Sequence, residues 1–370
     1  MGQAWIDGSP AATDAAVAQA ARLLSVARLP LIAGLGTDVA GARAAIALAR
    51  RLGGVIDHMH SDTVLRDLDG MREAGMMVTT PNEARLRADT MLVAGAGLLG
   101  YPDGARSLLM PPAAREIGPG AKRRVFWLCP GRMKAPASDA DIQTIGRRAD
   151  ELPALLAAVR ARLKGRPLRH PPIPVRTLDA LAAGLQKARF GVAVWSAAEL
   201  DALTIEMLCG LIDDLNAHTR FTGLPLAAAD NALGVLQVCG WSTAFPVRTG
   251  FGRGFPEHDP WRFDAIRLVE NREADCVLWI SSYSASVPEW TLDVPLIALT
   301  QRDARCRRAR VHIEVARPGI DHEAVEHLAT IGTLAPVAAT EPSDTITVAQ
   351  AIARIAHALA DGGSGHADAH

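Results

Sequence analysis

Short apolar runs and helix-period segments alternate along this chain. PLIAG at 30–34 is apolar throughout and follows an amphipathic stretch reaching from Thr13 or Asp14, either of which can cap a helix, to about Arg28. A helix pattern over 39–52 stops at Gly53 and Gly54, and Val55 and Ile56 begin another strand. Further apolar runs fall at 91–94, 125–128, 192–195, 276–280, 295–299 and 311–315, each separated from the next by helical pattern. A strand apolar at every position is one that helices cover on both faces. The pattern therefore predicts βαβ units and doubly wound parallel sheets. A long helix is expected over about 139–164.

GRPLRHPPIP at 165–174 is the one clear linker, because proline fixes φ and biases the preceding residue towards extended geometry. The helix before it and the strand after it are expected to lie in different folding units. Arg87-Ala88-Asp89 and Arg272-Glu273-Ala274-Asp275 each precede a strand, an echo that α/β geometry produces without a true repeat. The Gly- and His-containing tail 361–370 is expected to be flexible.

At 370 residues the chain is long enough for two α/β cores, and a net charge of −1 makes no electrostatic case for nucleic acid. No apolar run reaches the roughly 18–20 residues of a membrane span. The opening MGQAWIDG lacks the basic and apolar regions of a signal peptide, so a cytoplasmic location is expected. Five scattered cysteines with no CxxC argue for reduced thiols rather than disulfides or an iron–sulfur cluster.

Few residues invite a chemical reading. GLGTDVAG at 34–41 follows a strand and opens a helix, where amides can cradle a phosphate. Its GxGxxxxG spacing departs from the dinucleotide fingerprint, so a plain tight turn is the expectation. His58, His60 and Asp62 form a loop trio able to bind zinc, but no fourth ligand follows at a fitting spacing. Hydrogen-bonded loop histidines are expected instead. His322 and His327 in HEAVEH stand at i and i+5, about 140° apart on a helix, so they cannot share one ion as HExxH does. A surface helix is the reading there. No Gly-x-Ser-x-Gly elbow appears. FGRGFPEHDP at 251–260 reads as an interface loop, with Arg248 and Arg253 as candidates for an anion.

The order of segments carries a resemblance. GGVID at 53–57, TTPNEARLRADTMLVAGAG at 79–97, PLAAADNALGVLQVCGWSTAFPVRTGFGRGFP at 225–256, READCVLWISSYSASVP at 272–288 and HIEVARPGID at 312–321 together resemble the B subunit of formylmethanofuran dehydrogenases. These are molybdo- or tungstopterin oxidoreductases, and the bacterial branch found in methylotrophs is the more similar one. The resemblance implies two doubly wound α/β domains like the central domains of those oxidoreductases. One domain would comprise 1–62 plus 186–360, with 63–185 inserted. It also implies a cytoplasmic complex with an amidohydrolase-like hydrolytic subunit, a formyltransferase subunit and a gamma-type subunit. In the bacterial branch that complex moves a formyl group from formyl-tetrahydromethanopterin to methanofuran or an analogue, then hydrolyses it to formate.

The departures from the redox family decide the functional expectation. The segment 57–128 contains no cysteine, and the metal-ligating Cys should fall near Asp62, Thr63 and Val64. The cysteine-rich segment with which family dehydrogenases begin has no counterpart in the chain. Gly34, Gly36, Thr37, His60, Asp62 and Thr63 are therefore expected to outline a vestigial pocket, with no catalytic residue, metal or cofactor. The alternatives are a redox subunit that keeps its metal-pterin and a stand-alone nucleotide-dependent enzyme.

Overall fold

Strands that are apolar at every position leave no face for water, and in the computed structural model helices close over both sides of them. The structure describes residues 3–96, 122–132, 141–290, 294–302 and 304–364. They form two compact units, one of residues 1–61, 229–327 and 334–370, the other of 62–228 with 328–333.

The first unit is built on a nine-stranded sheet. Its centre is parallel, in the order Val55–Ile56, Pro30–Gly36, Cys276–Ser281, Leu296–Thr300 and Val311–Glu314. Antiparallel pairs finish both edges: Thr249–Gly250 with Glu257–His258 on one side, Ala4–Ile6 with Ser9–Ala11 on the other. The helices Thr13–Ser25, Val39–Leu52, Ala232–Thr243 and Val348–Ser364 pack on one another, while Ala265–Glu270 joins the core that contains Leu31, Val277, Trp279 and Leu296. The helix 39–52 is capped as expected at its end by Gly53 at φ +66°. Thr13 and Asp14, by contrast, lie inside the first helix, and its N-cap is Ala12 with no side-chain bond.

The second unit carries an all-parallel five-stranded sheet in the order Asp141–Ile145, Arg124–Leu128, Thr90–Ala94, Gly191–Trp195, Phe221–Pro225. Alternate residues feed two separate cores. Leu92, Ala94, Phe126 and Leu128 enter one with the helices Leu152–Leu163, Val175–Gln186 and Ala202–Asn216; Met91, Val93, Val125 and Trp127 enter the other. This is the two-sided burial that the continuous apolar runs require.

The described structure corrects several boundaries. Residues 141–145 are a parallel strand, so the expected helix over 139–164 shrinks to 152–163. The strand 191–195 pairs with 90–94, and 221–225 pairs with 191–195, which keeps the second unit going to residue 228 rather than ending near 185. The Pro-rich segment is non-helical, as proline demands, but it joins two helices of one unit. HEAVEH lies on a strand, Ala324–Leu328, hairpinned with Thr333–Val337, and not on a helix. The tail remains helical through Ser364, and 365–370 lie outside the described residues.

The paired Asp echoes have one shared job. Asp275 accepts from the amides of Arg28 (3.1 and 3.0 Å) and Leu29 (3.1 Å), just before the strand beside its own. Asp89 does the same for the amides of Arg189 (2.9 Å) and Phe190 (3.4 Å). Burial raises the Asp275 pKa, yet hydrogen bonds from these amides and the Arg28 side chain hold it below the usual carboxylate range. Arg123 is fully buried and closes the helix Pro81–Arg87 by donating to the carbonyls of Ala84 (3.2 Å), Arg85 (2.6 Å) and Ala88 (2.8 Å).

Asp275→Ala should destabilise the protein by about 1–3 kcal/mol, because the partly buried Leu29 amide and the exposed Arg28 amide lose their acceptor. Arg28→Ala should cost under about 0.5 kcal/mol, since that guanidinium is 86% exposed. Urea midpoints of the two variants test whether the amides or the ion pair carry the effect.

Candidate functional site

In an open α/β sheet the crevice for a ligand forms where neighbouring strands send their connections to opposite sides. In the first unit that point lies between 30–36 and 276–281, since the chain runs from 30–36 to 55–56 on one side and from 276–281 to 296–300 on the other. A bulge opens the two strand ends: Ala33 faces Trp279 while Gly36 faces Ser281, so Gly34 and Leu35 oppose Ile280 alone. Both take left-handed φ, +79° and +52°. A Cβ on Gly34 would stand 2.5 Å from the Ile280 carbonyl oxygen, so only glycine fits.

Around this end gather Gly34, Gly36, Thr37, His58 and His60, together with Asp230, Asn231, Ser282, Tyr283 and Glu326. His58 is buried; its Nδ1 accepts from the His60 amide (3.0 Å), which assigns the ring proton to Nε2, donating to the Asp230 carbonyl oxygen (3.2 Å). Burial and the neighbouring His60 push its pKa down to about 4. His60 Nε2 lies 2.9 Å from Asp230 Oδ2. Burial raises Asp230, but hydrogen bonds from His60 and, at looser geometry, Ser284 bring it below the usual carboxylate range. Asp230 and Asn231 are both left-handed, at φ +53° and +57°. Asn231 locks that strained pair in place: its amide donates to the Thr37 carbonyl (2.7 Å) and its oxygen accepts from the His327 amide (2.9 Å). The Tyr283 hydroxyl donates to Glu326 Oε2 at 2.5 Å, and burial with that carboxylate raises its pKa.

Asp57, His58 and Ser61 contain the residue types of a hydrolytic triad without its geometry. Ser61 Oγ accepts from the His58 backbone amide (3.0 Å) and donates to Asp57 Oδ1, so no imidazole addresses the hydroxyl. Burial lifts Asp57 to about 6 against the lowering effect of Arg248, Ser61 and the Ala265 amide. Arg248 pairs inward with Asp57 (3.5 Å) and Asp264 (2.5 Å), and the exposed Arg253 pairs with Glu257 (3.1 Å). The Arg248 guanidinium is therefore not held open for an anion. The 34–41 turn likewise satisfies itself, because Asp38 Oδ1 accepts the Gly41 amide (2.9 Å) at the helix N-terminus, where a phosphate would sit. A Cβ on Gly41 would strike Thr37 Oγ1 at 2.0 Å, so that glycine serves packing.

Asp62 and Thr63 open the helix Ser61–Ala74, with Asp62 exposed and Thr63 buried, and they count with the second unit. His322 bonds its neighbouring carbonyl and is half-buried. Among the described residues no three His, Cys, Asp or Glu side chains are placed to hold a metal ion.

Comparison with known proteins fits this crevice into a family. The B subunit of the formyltransferase/hydrolase complex Fhc of Methylorubrum extorquens is 35% identical over 375 residues, covering 97% of this chain and 99% of the relative. The crystal structure of that organism's FhcABCD complex with methylofuran contains a chain that superposes with a TM-score of 0.87 at 34% identity, covering 98% and 99% of the two chains. The chain belongs to the family of formyltransferase/hydrolase complex B subunits. The B subunit of the tungsten-containing formylmethanofuran dehydrogenase 2 of Methanocaldococcus jannaschii is 26% identical over 84% of this chain and 74% of its own length. No family model matches the sequence.

The relatives named tungsten-containing set the comparison for the expected ligand position. At that position stand Asp62, Thr63 and Val64, none of which offers a thiolate. All five cysteines are buried and unpaired. Burial pushes the Cys239 and Cys276 thiols up to about 12, away from the thiolate form that a metal needs. Asp230, Asn231, Tyr283 and Glu326 escaped the sequence reading because nothing local ties them to strand 30–36. The Asp-Asn pair itself, two residues that tolerate left-handed backbone, was the available signal.

His58 titrates near 4 in the folded protein against 6.5 for the ordinary group, so the unfolded chain binds more protons between those values. Stability should therefore fall as pH drops from 6.5 to 4, by roughly 2–3 kcal/mol from this group. Asp57 acts with opposite sign, gaining stability as pH falls from about 6 towards 3.8. His58→Asn should flatten or reverse the acid-side slope in pH-resolved urea unfolding. An unchanged slope would show that His58 is not the titrating group.

Proposed function

We propose that the chain is a non-catalytic structural subunit of a cytoplasmic formyltransferase/hydrolase complex. The complex transfers a formyl group from formyl-tetrahydromethanopterin to methanofuran or an analogue and hydrolyses it to formate. Its partners are the amidohydrolase-like hydrolytic subunit, the formyltransferase subunit and the gamma-type subunit. One observation carries the reading. A chain aligned over almost its full length with the Fhc relative has no cysteine anywhere in 57–128, so the thiolate ligand expected from the redox family has no counterpart.

The crevice supports this reading in that most of its polar groups answer one another, although Asp230 Oδ1 is buried without a hydrogen-bond partner. His58, His60, Asp230, Asn231, Tyr283 and Glu326 are each engaged by a neighbour within the unit. A fold does not by itself imply its usual chemistry. Here it keeps the frame on which other subunits are held. Among the described residues no helix is long and apolar enough to cross a membrane, and the chain's charge balance offers nucleic acid no attraction.

In the assembled complex, His60→Ala and Thr63→Ala should leave kcat for formate release within about twofold. A hundredfold loss with assembly intact, equal to about 2.7 kcal/mol of transition-state stabilisation, would make the crevice catalytic and overturn the proposal. Elemental analysis of the purified chain should find Mo, W and Fe at far below one per molecule. Stoichiometric metal would restore the redox reading.

A further inference from the structure

The exposed aromatic side chains of the described residues are gathered in one short segment. Trp241 is 56% exposed, Phe245 38%, Phe255 49% and Trp261 70%, and Ile266 (44%) follows on the next helix. At about 150–250 Å² per aromatic side chain, the four leave on the order of 400 Å² of apolar surface in water. That is about the size of the largest apolar patch on a typical soluble protein, and such a patch is often a functional surface.

The segment is folded into one patch at the edge of the nine-stranded sheet. Residues 257–258 are the edge strand, paired with 249–250. Phe245, just past the helix 232–243, stacks on His258 at 6.3 Å between ring centroids. Arg248 Nη1 donates to the Pro260 carbonyl at 2.8 Å, which ties the start of the hairpin to the Trp261 turn.

Its charge is one-sided. Arg253 and Arg262 are exposed, lying over Phe255 (5.2 Å) and Phe263 (5.2 Å). The acids of the segment are drawn inward: Glu257 pairs with Arg253, Asp259 accepts the Trp261 and Arg262 amides, and Asp264 pairs with Arg248 and caps the helix 265–270. Exposed tryptophan and arginine without free carboxylates is the composition of a protein-binding centre. Two copies meeting through this patch would set arginine against arginine, so the surface is not complementary to itself.

We infer that residues 241–266 dock a subunit of different sequence, whose surface offers apolar pockets edged by carboxylates. The inference rests on the structural-subunit reading and names the face that does the holding. Trp261 and Phe255 fill the pockets, and Arg253 with Arg262 meets the acidic rim.

The test measures binding of the purified full-length chain to the purified hydrolytic, formyltransferase and gamma-type subunits. Trp261→Ala/Arg262→Glu should weaken assembly at least tenfold with an unchanged melting temperature. Arg253→Glu/Arg262→Glu, which alters only exposed side chains and so keeps the fold, should slow association about tenfold and remove its salt dependence. Leu203→Ser, 51% exposed on the other unit, should change nothing. Wild-type assembly by both double variants overturns this surface and leaves the structural-subunit reading standing. Failure of the wild-type chain to bind any of the three subunits overturns both. Self-association of the wild type that these substitutions abolish assigns the patch to a second copy and overturns the inference.

Discussion

A parallel strand covered by helices on both faces can put a polar side chain only at its two ends. Strands 30–36, 276–281, 90–94 and 191–195 are all of this kind, with every residue buried. At their entrances the unmet amides of the preceding turn need an acceptor. Asp275 and Asp89 supply it from the neighbouring strand, which also fixes the register of the pair. At the exits of 30–36 and 276–281 the same constraint collects polar groups into one crevice, because the strand interiors are closed to them.

What happens in that crevice follows from the cost of burying charge. Asp57 is driven up to about 6 and His58 down to about 4, both by desolvation, so each is pushed towards its neutral form. Asp230 escapes because His60 stands against it. Active sites also perturb pKa values, but they leave a nucleophile or a base aimed at empty space. Here Ser61 is turned to Asp57, the His58 ring nitrogens face backbone, and Asp38 fills the helix N-terminus. Asp57 and His58 are held by these contacts, while Asp230 Oδ1 stays buried without a partner.

The edge of the nine-stranded sheet offers the chain a surface for contacts outward. The two-residue strands at 249–250 and 257–258 close one side of the sheet, and the loops around them carry the aromatic and arginine side chains that water leaves unsatisfied. Short edge strands resist uncontrolled pairing with other sheets. The same brevity leaves room for side chains rather than backbone to select a partner.

Local pattern determined much of this protein. Continuous apolar runs are legible because two-sided burial forbids a polar residue anywhere within a strand, and the helix 39–52 is legible because Gly53 closes it at φ +66°. The missing thiolate at 62–64 is a fact of composition that no folding could alter. Tertiary structure decided the rest. Strand 141–145 carries exposed polar positions at the sheet edge, and only its pairing with 124–128 makes it a strand. The return from the second unit waited on strand 221–225, whose place beside 191–195 is a long-range pairing. The crevice partners of His58 and His60 lie 172 and 170 residues away at Asp230. Sequence periodicity reports what a residue does to its own turn or strand; which distant carboxylate will face it is settled when the sheets assemble.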